Sequence, residues 1–306
     1  MVQALRQEDE SAAIRARIAA LVRGCSLEVT AKPAAVAAAV AAPLPRGSCV
    51  YITTLAGDTV AAMVGAAAAL RRAGLEPVPH LGARYLRDRA ALDDALARLR
   101  GEAQVEQVLA IAGDIARPHG AFAASRDLIE TGLLERHGLK RVGIAGYPEG
   151  HPRLAAERLA EARAAKIASL KARGIAPYVV TQFCFEAAPL RDYVAAHAAR
   201  HPDVPLHLGL AGPAKLATLL KYAASCGIGT SLKALRRNAG MTRLLSESGP
   251  ESVIATLAED EAAAARIARL HFFTFGGVAR TARWAAAIAS GAFAVDRDGF
   301  RVTAPV

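Results

Sequence analysis

The chain has 306 residues and a formal net charge of +10, with 53% hydrophobic and 22% charged residues. This balance supplies a large core and excludes an intrinsically disordered chain. The basic residues form short, scattered clusters without interleaved aromatic residues, which argues against a nucleic-acid-binding protein and favours an anionic small substrate.

Eight short apolar runs alternate with longer helical patterns along the chain. They cover residues 26–31, 48–54, 76–81, 107–113, 141–146, 177–183, 205–212 and 270–275. Such runs are typical of parallel strands covered on both faces, and several helical patterns between them end on glycine, a helix C-terminal signal. The pattern predicts an α/β fold: a TIM (β/α)8 barrel forming one domain over residues 1–306, with extra helices after strand seven.

A doubly wound sheet is the alternative fold. It would need a glycine-rich phosphate-binding turn after its first strand, and the segment SLEVTAKP (26–33) has none.

The N-terminus and the cysteines predict a cytoplasmic protein without a membrane partner. The segment MVQALRQEDESAA is charged where a signal peptide needs an apolar run, and AAVAAAVAAPLP is too short to cross a bilayer. The widely spaced cysteines contain no CxxC pair, which predicts reduced thiols rather than disulfides or a zinc site; they are Cys25, Cys49, Cys184 and Cys226.

Polar residues collect where the predicted strands end, which is where TIM barrels carry their active sites. Glu28 lies inside the first apolar run, so its carboxyl group is expected to point into the barrel, where burial disfavours the ionised form. Other candidates follow later strands: Thr54, His80, Asp114, Tyr147, His151 and Gln182. Each also has a structural interpretation, such as packing for His80 or turn capping for Asp114.

Other catalytic chemistries have weaker support. The first strand lacks the paired histidines of metal-dependent barrel hydrolases, so no metal site is predicted. There is no GxSxG motif, Cys184 between two phenylalanines is expected to be buried and inert, and no strand carries a lysine for a Schiff base. A metal- or lyase-type barrel using His80, Asp114 and His151 stays an alternative.

The order of the motifs resembles the catalytic barrel of the methylenetetrahydrofolate reductase family. YPEGHP (147–152) and TQF (181–183) are the specific matches, and SLEV, PHL, GD and HFFTF support them in order along the chain. The resemblance implies reduction of 5,10-methylenetetrahydrofolate to 5-methyltetrahydrofolate with NADH or NADPH, through a bound FAD in the usual members.

The resemblance also implies roles for individual residues. Glu28 matches the acid that protonates the bridging folate nitrogen, Asp114 a pterin contact near the flavin, and Gln182 a contact to substrate and nicotinamide. The positions that match FAD contacts are Thr54, His80, Ala112, Gly113, Asp114, Tyr147, His151 and one lysine, either Lys166 or Lys171.

Three departures from the family pattern remove positive charge that would hold the FAD pyrophosphate. The loop LAGDTVAAM (55–63) has no arginine, Ala112 stands where arginine is common, and FGGVAR (275–280) supplies Arg280 only with a shift. The retained His80, Tyr147 and His151 favour FAD. The alternatives are flavin-free hydride transfer from NADH, or a folate-binding barrel repurposed for one-carbon or demethylation metabolism. Whether the chain forms a homo-oligomer stays open.

Overall fold

The computed structural model describes residues 2–225, 247–296 and 299–305. Cys226 and the segment GIGTSLKALRRN (227–238) lie outside the described residues.

Eight parallel strands form a closed barrel in the order β1-β10-β7-β6-β5-β4-β3-β2. In chain order, the eight barrel strands are β1 (Ser26–Thr30), β2 (Cys49–Thr53), β3 (Glu76–Gly82), β4 (Gln107–Ile111), β5 (Arg141–Gly146), β6 (Ala176–Thr181), β7 (Leu206–Ala211) and β10 (Arg269–Phe273). Two further antiparallel pairs form separate sheets: β8 (Ala214–Lys215) with β9 (Glu247–Ser248), and β11 (Phe293–Asp296) with β12 (Gly299–Val302). The predicted TIM barrel is confirmed, and all eight predicted strands are present.

Helices connect the barrel strands, and three of them follow strand seven as predicted. They are α1 (Val2–Val22), α2 (Pro33–Val40), α3 (Val60–Arg72), α4 (Arg89–Ala103), α5 (Ser125–Glu130), α6 (Leu133–Arg136), α7 (Ala156–Ala172), α8 (Ala187–Arg200), α9 (Leu216–Ser225), α10 (Glu251–Glu259), α11 (Glu261–Ala264) and α12 (Val278–Ala289). A short 3-10 helix spans Ala83–Tyr85. The sequence analysis did not identify α1 or the antiparallel β11–β12 pair. In the described part of the chain, no helix is long and apolar enough to cross a membrane.

The chain divides into two compact units by its internal contacts. The first unit is Leu27–Thr181, and the second combines Met1–Ser26 with Gln182–Val306. The single domain over residues 1–306 stays a prediction.

In the first unit, buried side chains from β2, β3, β4 and β6 pack into one hydrophobic cluster. The Tyr51 hydroxyl donates to the Tyr178 hydroxyl over 3.3 Å, and the Tyr178 hydroxyl donates to the Val108 carbonyl over 3.4 Å. Both tyrosines are fully buried, so this chain of hydrogen bonds satisfies hydroxyl groups that would otherwise be costly to bury. Around them pack Cys49, Val78, Leu109 and Val180.

The second unit has its own core, in which α1 packs against α10 and α12. The buried Trp284 indole donates to Glu251 Oε1 over 2.8 Å, and burial raises the pKa of the Glu251 carboxyl group. Ser26 and His271, both fully buried, are joined by a 3.0 Å hydrogen bond between Oγ and Nδ1. The first bond joins α12 to α10, and the second joins Ser26 to β10.

Gly143 on β5 makes room for the Tyr178 ring, so we predict that Gly143→Ala is destabilising. A Cβ there would lie 2.7 Å from the ring and 2.9 Å from Leu109 Cδ1. Overpacking of this kind costs about 1–3 kcal/mol. A urea unfolding curve of the variant would measure the loss.

Gly101→Ala is the matched control, because Gly101 is exposed in α4 and a Cβ there meets nothing within 4 Å. Relief from the glycine helix penalty should stabilise this variant by about 0.5–1 kcal/mol. Equal stability of the two variants would contradict the packing argument.

Candidate active site

Glu28 and His80 lie together where β1 and β3 approach their C-terminal ends. Glu28 Oε2 is 3.6 Å from His80 Nε2, and the two side chains are only 14% and 8% exposed. The Tyr51 ring meets the imidazole edge to face at 5.9 Å, and the Thr54 hydroxyl donates to the His80 carbonyl over 2.6 Å. The arrangement holds a carboxyl group and an imidazole together with little access to water, as an acid–base site requires.

Asp114 follows β4 and accepts a hydrogen bond from the Tyr85 hydroxyl. The Tyr85 ring covers two glycines: a Cβ on Gly82 would lie 2.4 Å from Cδ2, and a Cβ on Gly113 would lie 3.1 Å from Cε2. Burial and the bond to Asp114 raise the pKa of Tyr85 to about 12, above an ordinary value at which the phenol is already protonated at neutral pH and can donate. Sequence reasoning missed Tyr85, because its partners lie on separate segments.

Arg84 fixes the loop that carries Ala112, Gly113 and Asp114. Its backbone N–H donates to the Ala112 carbonyl over 2.9 Å. Its guanidinium donates to the Ile115 carbonyl over 3.1 Å and to the Ala123 carbonyl over 2.9 Å. Two guanidinium N–H groups of Arg84 therefore already donate to backbone carbonyls, and fewer N–H groups are left to bind a phosphate.

Tyr147 and His151 lie in a tight turn after β5, as the YPEGHP motif predicts. Gly150, with φ 79°, donates its N–H to the Tyr147 carbonyl over 3.1 Å. The two rings meet edge to face at 5.3 Å, and the Arg153 N–H donates to His151 Nδ1 over 3.2 Å. Burial, with Arg153 and Arg84 nearby, lowers the pKa of His151, which favours the neutral imidazole.

The two candidate lysines differ in environment. Lys166 on α7 is half-buried and donates from Nζ to Ser125 Oγ over 3.4 Å, whereas Lys171 on the same helix is exposed. Burial, with a smaller contribution from Arg163, lowers the pKa of Lys166 to about 8. Helix packing therefore restrains Lys166 and reduces its average charge.

Gln182 directly follows β6 and begins the second unit, where it is half-buried. Its side-chain oxygen accepts from the Phe183 N–H over 3.3 Å. Phe183 is the centre of an aromatic group with ring centroids 4.9–5.5 Å apart, which includes Phe185, Phe273 and Phe275. Cys184 is buried, as expected.

Two cavities of the first unit share Tyr85 in their lining; the smaller, which includes His80, is called the inner cavity and the larger the outer cavity. The inner one, about 60 Å³, is lined by Thr54, His80, Gly82 and Tyr85 among others. The outer one, about 450 Å³, is lined by Tyr85 and by residues at the start of α4. Within the described ranges, no group of three or more His, Cys, Asp or Glu side chains could hold a metal ion.

We predict that the pH dependence of stability reports the buried charge of Lys166. Between its folded pKa of about 8 and the ordinary value of 10.5, the unfolded chain binds a proton that the folded chain does not. Stability of the wild type therefore rises with pH across this interval relative to Lys166→Met. The variant should be more stable at neutral pH, by roughly 1–2 kcal/mol, and its advantage should shrink as the pH rises.

Urea unfolding midpoints at several pH values would measure this difference. Lys171→Met is the control for the loss of one positive charge from the same helix. Parallel stability curves for the wild type and Lys166→Met would contradict the prediction.

Comparison with solved structures returns a dihydropteroate synthase from Thermus thermophilus. It is 14% identical, the match covers 86% of this chain and 92% of that chain, and the TM-score is 0.44. A likeness at this score carries no argument about function.

The family model described as methylenetetrahydrofolate reductase matches residues 43–276, from the segment before β2 to just after β10. The matched span includes His80, Asp114, His151 and Gln182, whereas Glu28 precedes it. Most of the chain is covered, in agreement with the resemblance of the YPEGHP and TQF motifs. The chain therefore belongs to the methylenetetrahydrofolate reductase family of oxidoreductases.

Proposed function

We propose that this chain reduces 5,10-methylenetetrahydrofolate to 5-methyltetrahydrofolate with NAD(P)H in the cytoplasm, and that Glu28 is the proton donor. The observation that carries the proposal is the Glu28–His80 pair, 3.6 Å apart and nearly excluded from water. Membership of the family supports the substrate class, and the shielded Glu28–His80 pair supports Glu28 as the acid.

In the proposed reaction, the Glu28 carboxyl group gives its proton to the bridging folate nitrogen. That nitrogen leaves the methylene carbon, and the five-membered ring opens to an iminium cation. Hydride then adds to the methylene carbon and produces the methyl group, while the nicotinamide is oxidised. The Glu28 carboxylate, negative after proton transfer, stabilises the neighbouring cation until hydride arrives.

His80, Asp114 and Gln182 have separate roles in this proposal. His80 contacts the carboxyl group and is itself held by the Tyr51 ring and by the bond from Thr54 to its carbonyl. Asp114 offers a carboxylate to the N–H groups of the pterin, and Gln182 offers an amide to the substrate and then to the nicotinamide. Both binding roles derive from the family resemblance.

The described residues do not fit a bound FAD in this arrangement. The Tyr85 ring covers Gly113, a position that matches a flavin contact, and the adjoining inner cavity of about 60 Å³ is far below the ~300–1,000 Å³ of small-molecule sites. Arg84 donates to backbone carbonyls, and Lys166 donates to Ser125. We therefore derive no step through a flavin, and the absorption spectrum described below tests the FAD expected from the sequence.

Direct hydride transfer from the nicotinamide to the folate is the second candidate route, and the position of Tyr85 favours it. We predict that the purified protein oxidises NADH or NADPH only when methylenetetrahydrofolate is added. An absorption spectrum of the same sample distinguishes the routes, because a bound flavin gives a visible band and direct transfer needs none. Absence of turnover with either nucleotide would refute the reductase proposal and leave the repurposed folate-binding barrel.

We also predict that Glu28→Gln retains folate binding and loses most of the reduction. An amide fills the same space but has no carboxyl proton to give, and loss of a general acid costs about 10²–10⁴-fold in rate. Folate-dependent NADH oxidation measures the rate, and a folate titration measures binding. Glu157→Gln, which changes an exposed carboxylate on α7, is the matched control. Normal reduction by Glu28→Gln would show that another group is the acid.

A further inference from the structure

Tyr85 lines both cavities of the first unit. The inner cavity beside His80 and the outer cavity both include Val60, Tyr85 and Leu86 in their lining. The inner space alone, about 60 Å³, holds no planar cofactor ring, whereas the outer space of about 450 Å³ is of ligand size. Tyr85 is thus common to the lining of a ligand-sized space and of the smaller space beside His80.

The ring of Tyr85 rests on a surface that only glycines can provide. Gly82 ends β3, Gly113 follows β4, and a Cβ at either position would press on the ring at 2.4 Å or 3.1 Å. Gly113 has φ 93°, a conformation that L side chains rarely adopt. Two adjacent strand ends thus present bare backbone to one aromatic face, as a binding surface for a planar ring would.

A hydrogen bond holds the ring on this surface. The Tyr85 hydroxyl donates to Asp114, and the ring edge meets His119 at 6.3 Å. Burial and the bond to Asp114, with a smaller effect of Asp58, raise the pKa of Tyr85 to about 12; the phenol is protonated at neutral pH with or without this shift and can donate. The two glycines thus contact the face of the Tyr85 ring, and Asp114 binds its hydroxyl group.

We propose that Tyr85 determines the cofactor class of this chain: it occupies the glycine surface at the ends of β3 and β4 and excludes the isoalloxazine ring of a flavin. The inference rests on the proposed function in naming a flavin as the excluded ring and a nicotinamide nucleotide as the hydride donor. In this chain an aromatic side chain covers the surface that would receive the cofactor, and the hydride donor is the nicotinamide nucleotide itself.

The test compares the wild type, Tyr85→Phe and Tyr85→Ala in binding titrations. Each protein is titrated with FAD and, in parallel, with riboflavin, and flavin fluorescence reports the binding. Tyr85→Ala uncovers both glycines and should bind each flavin at least about tenfold more tightly, which corresponds to 1.4 kcal/mol. Tyr85→Phe keeps the ring and should bind as weakly as the wild type. A gain for FAD without a gain for riboflavin would overturn the proposal, because the ring surface would then not be the determinant.

Leu86→Ala is the matched control, since Leu86 also lines both cavities but is not among the atoms closest to the two glycines. It should leave flavin affinity unchanged. An equal gain in Leu86→Ala and Tyr85→Ala would overturn the proposal, as would a wild type that purifies with stoichiometric flavin. Where Tyr85→Ala folds poorly, tight flavin binding by the wild type or by Tyr85→Phe would still overturn the proposal.

Folate turnover measured on the same samples separates this inference from the proposed function. Flavin exclusion by Tyr85 without any folate reduction would refute the reductase proposal and retain the role of Tyr85. Folate reduction by a wild type that binds flavin tightly would support the reductase proposal and refute the role of Tyr85.

Discussion

The parallel pairing of β1, β2 and β3 is the constraint on which the candidate site depends. Glu28 pairs with Tyr51, and Tyr51 pairs with Val78, so these three side chains point the same way. Tyr51 and Val78 belong to the buried core, which directs Glu28 inward, and His80 follows Val78 by two residues on the same face. A slip of one residue in this ladder would turn the carboxyl group away from the imidazole.

Much of the positive charge near the site is used within the protein. Arg84 ties down the loop after β4, and Lys166 meets Ser125 between two helices. His151 accepts a backbone N–H, and burial and neighbouring arginines favour its neutral form. The net charge of +10 therefore says little about the local field at the strand ends, where phosphate groups of a cofactor would need donors that are still available.

The sequence alone predicted the strands and the inward direction of Glu28, because both follow from local patterns. Continuous apolar runs indicate strands covered on both faces, and a carboxyl residue between Leu27 and Val29 has one direction to take in a closed barrel. Tyr85 was not predictable, since its position depends on glycines from two segments and on an aspartate 29 residues away. The same holds for Lys166, whose partner Ser125 lies 41 residues earlier. Contacts of this kind have no short-range signature.

The hydrogen bond between Tyr51 and Tyr178 has a consequence for the order of assembly. The two residues are separated by 127 positions, and β3, β4 and β5 lie between their strands in the barrel. Closing so long a loop directly carries a large entropic cost, whereas pairing neighbouring strands one after another divides that cost into shorter closures. The two hydroxyl groups should therefore meet late in folding, and the burial of this tyrosine pair would mark the moment at which the first unit completes its strands.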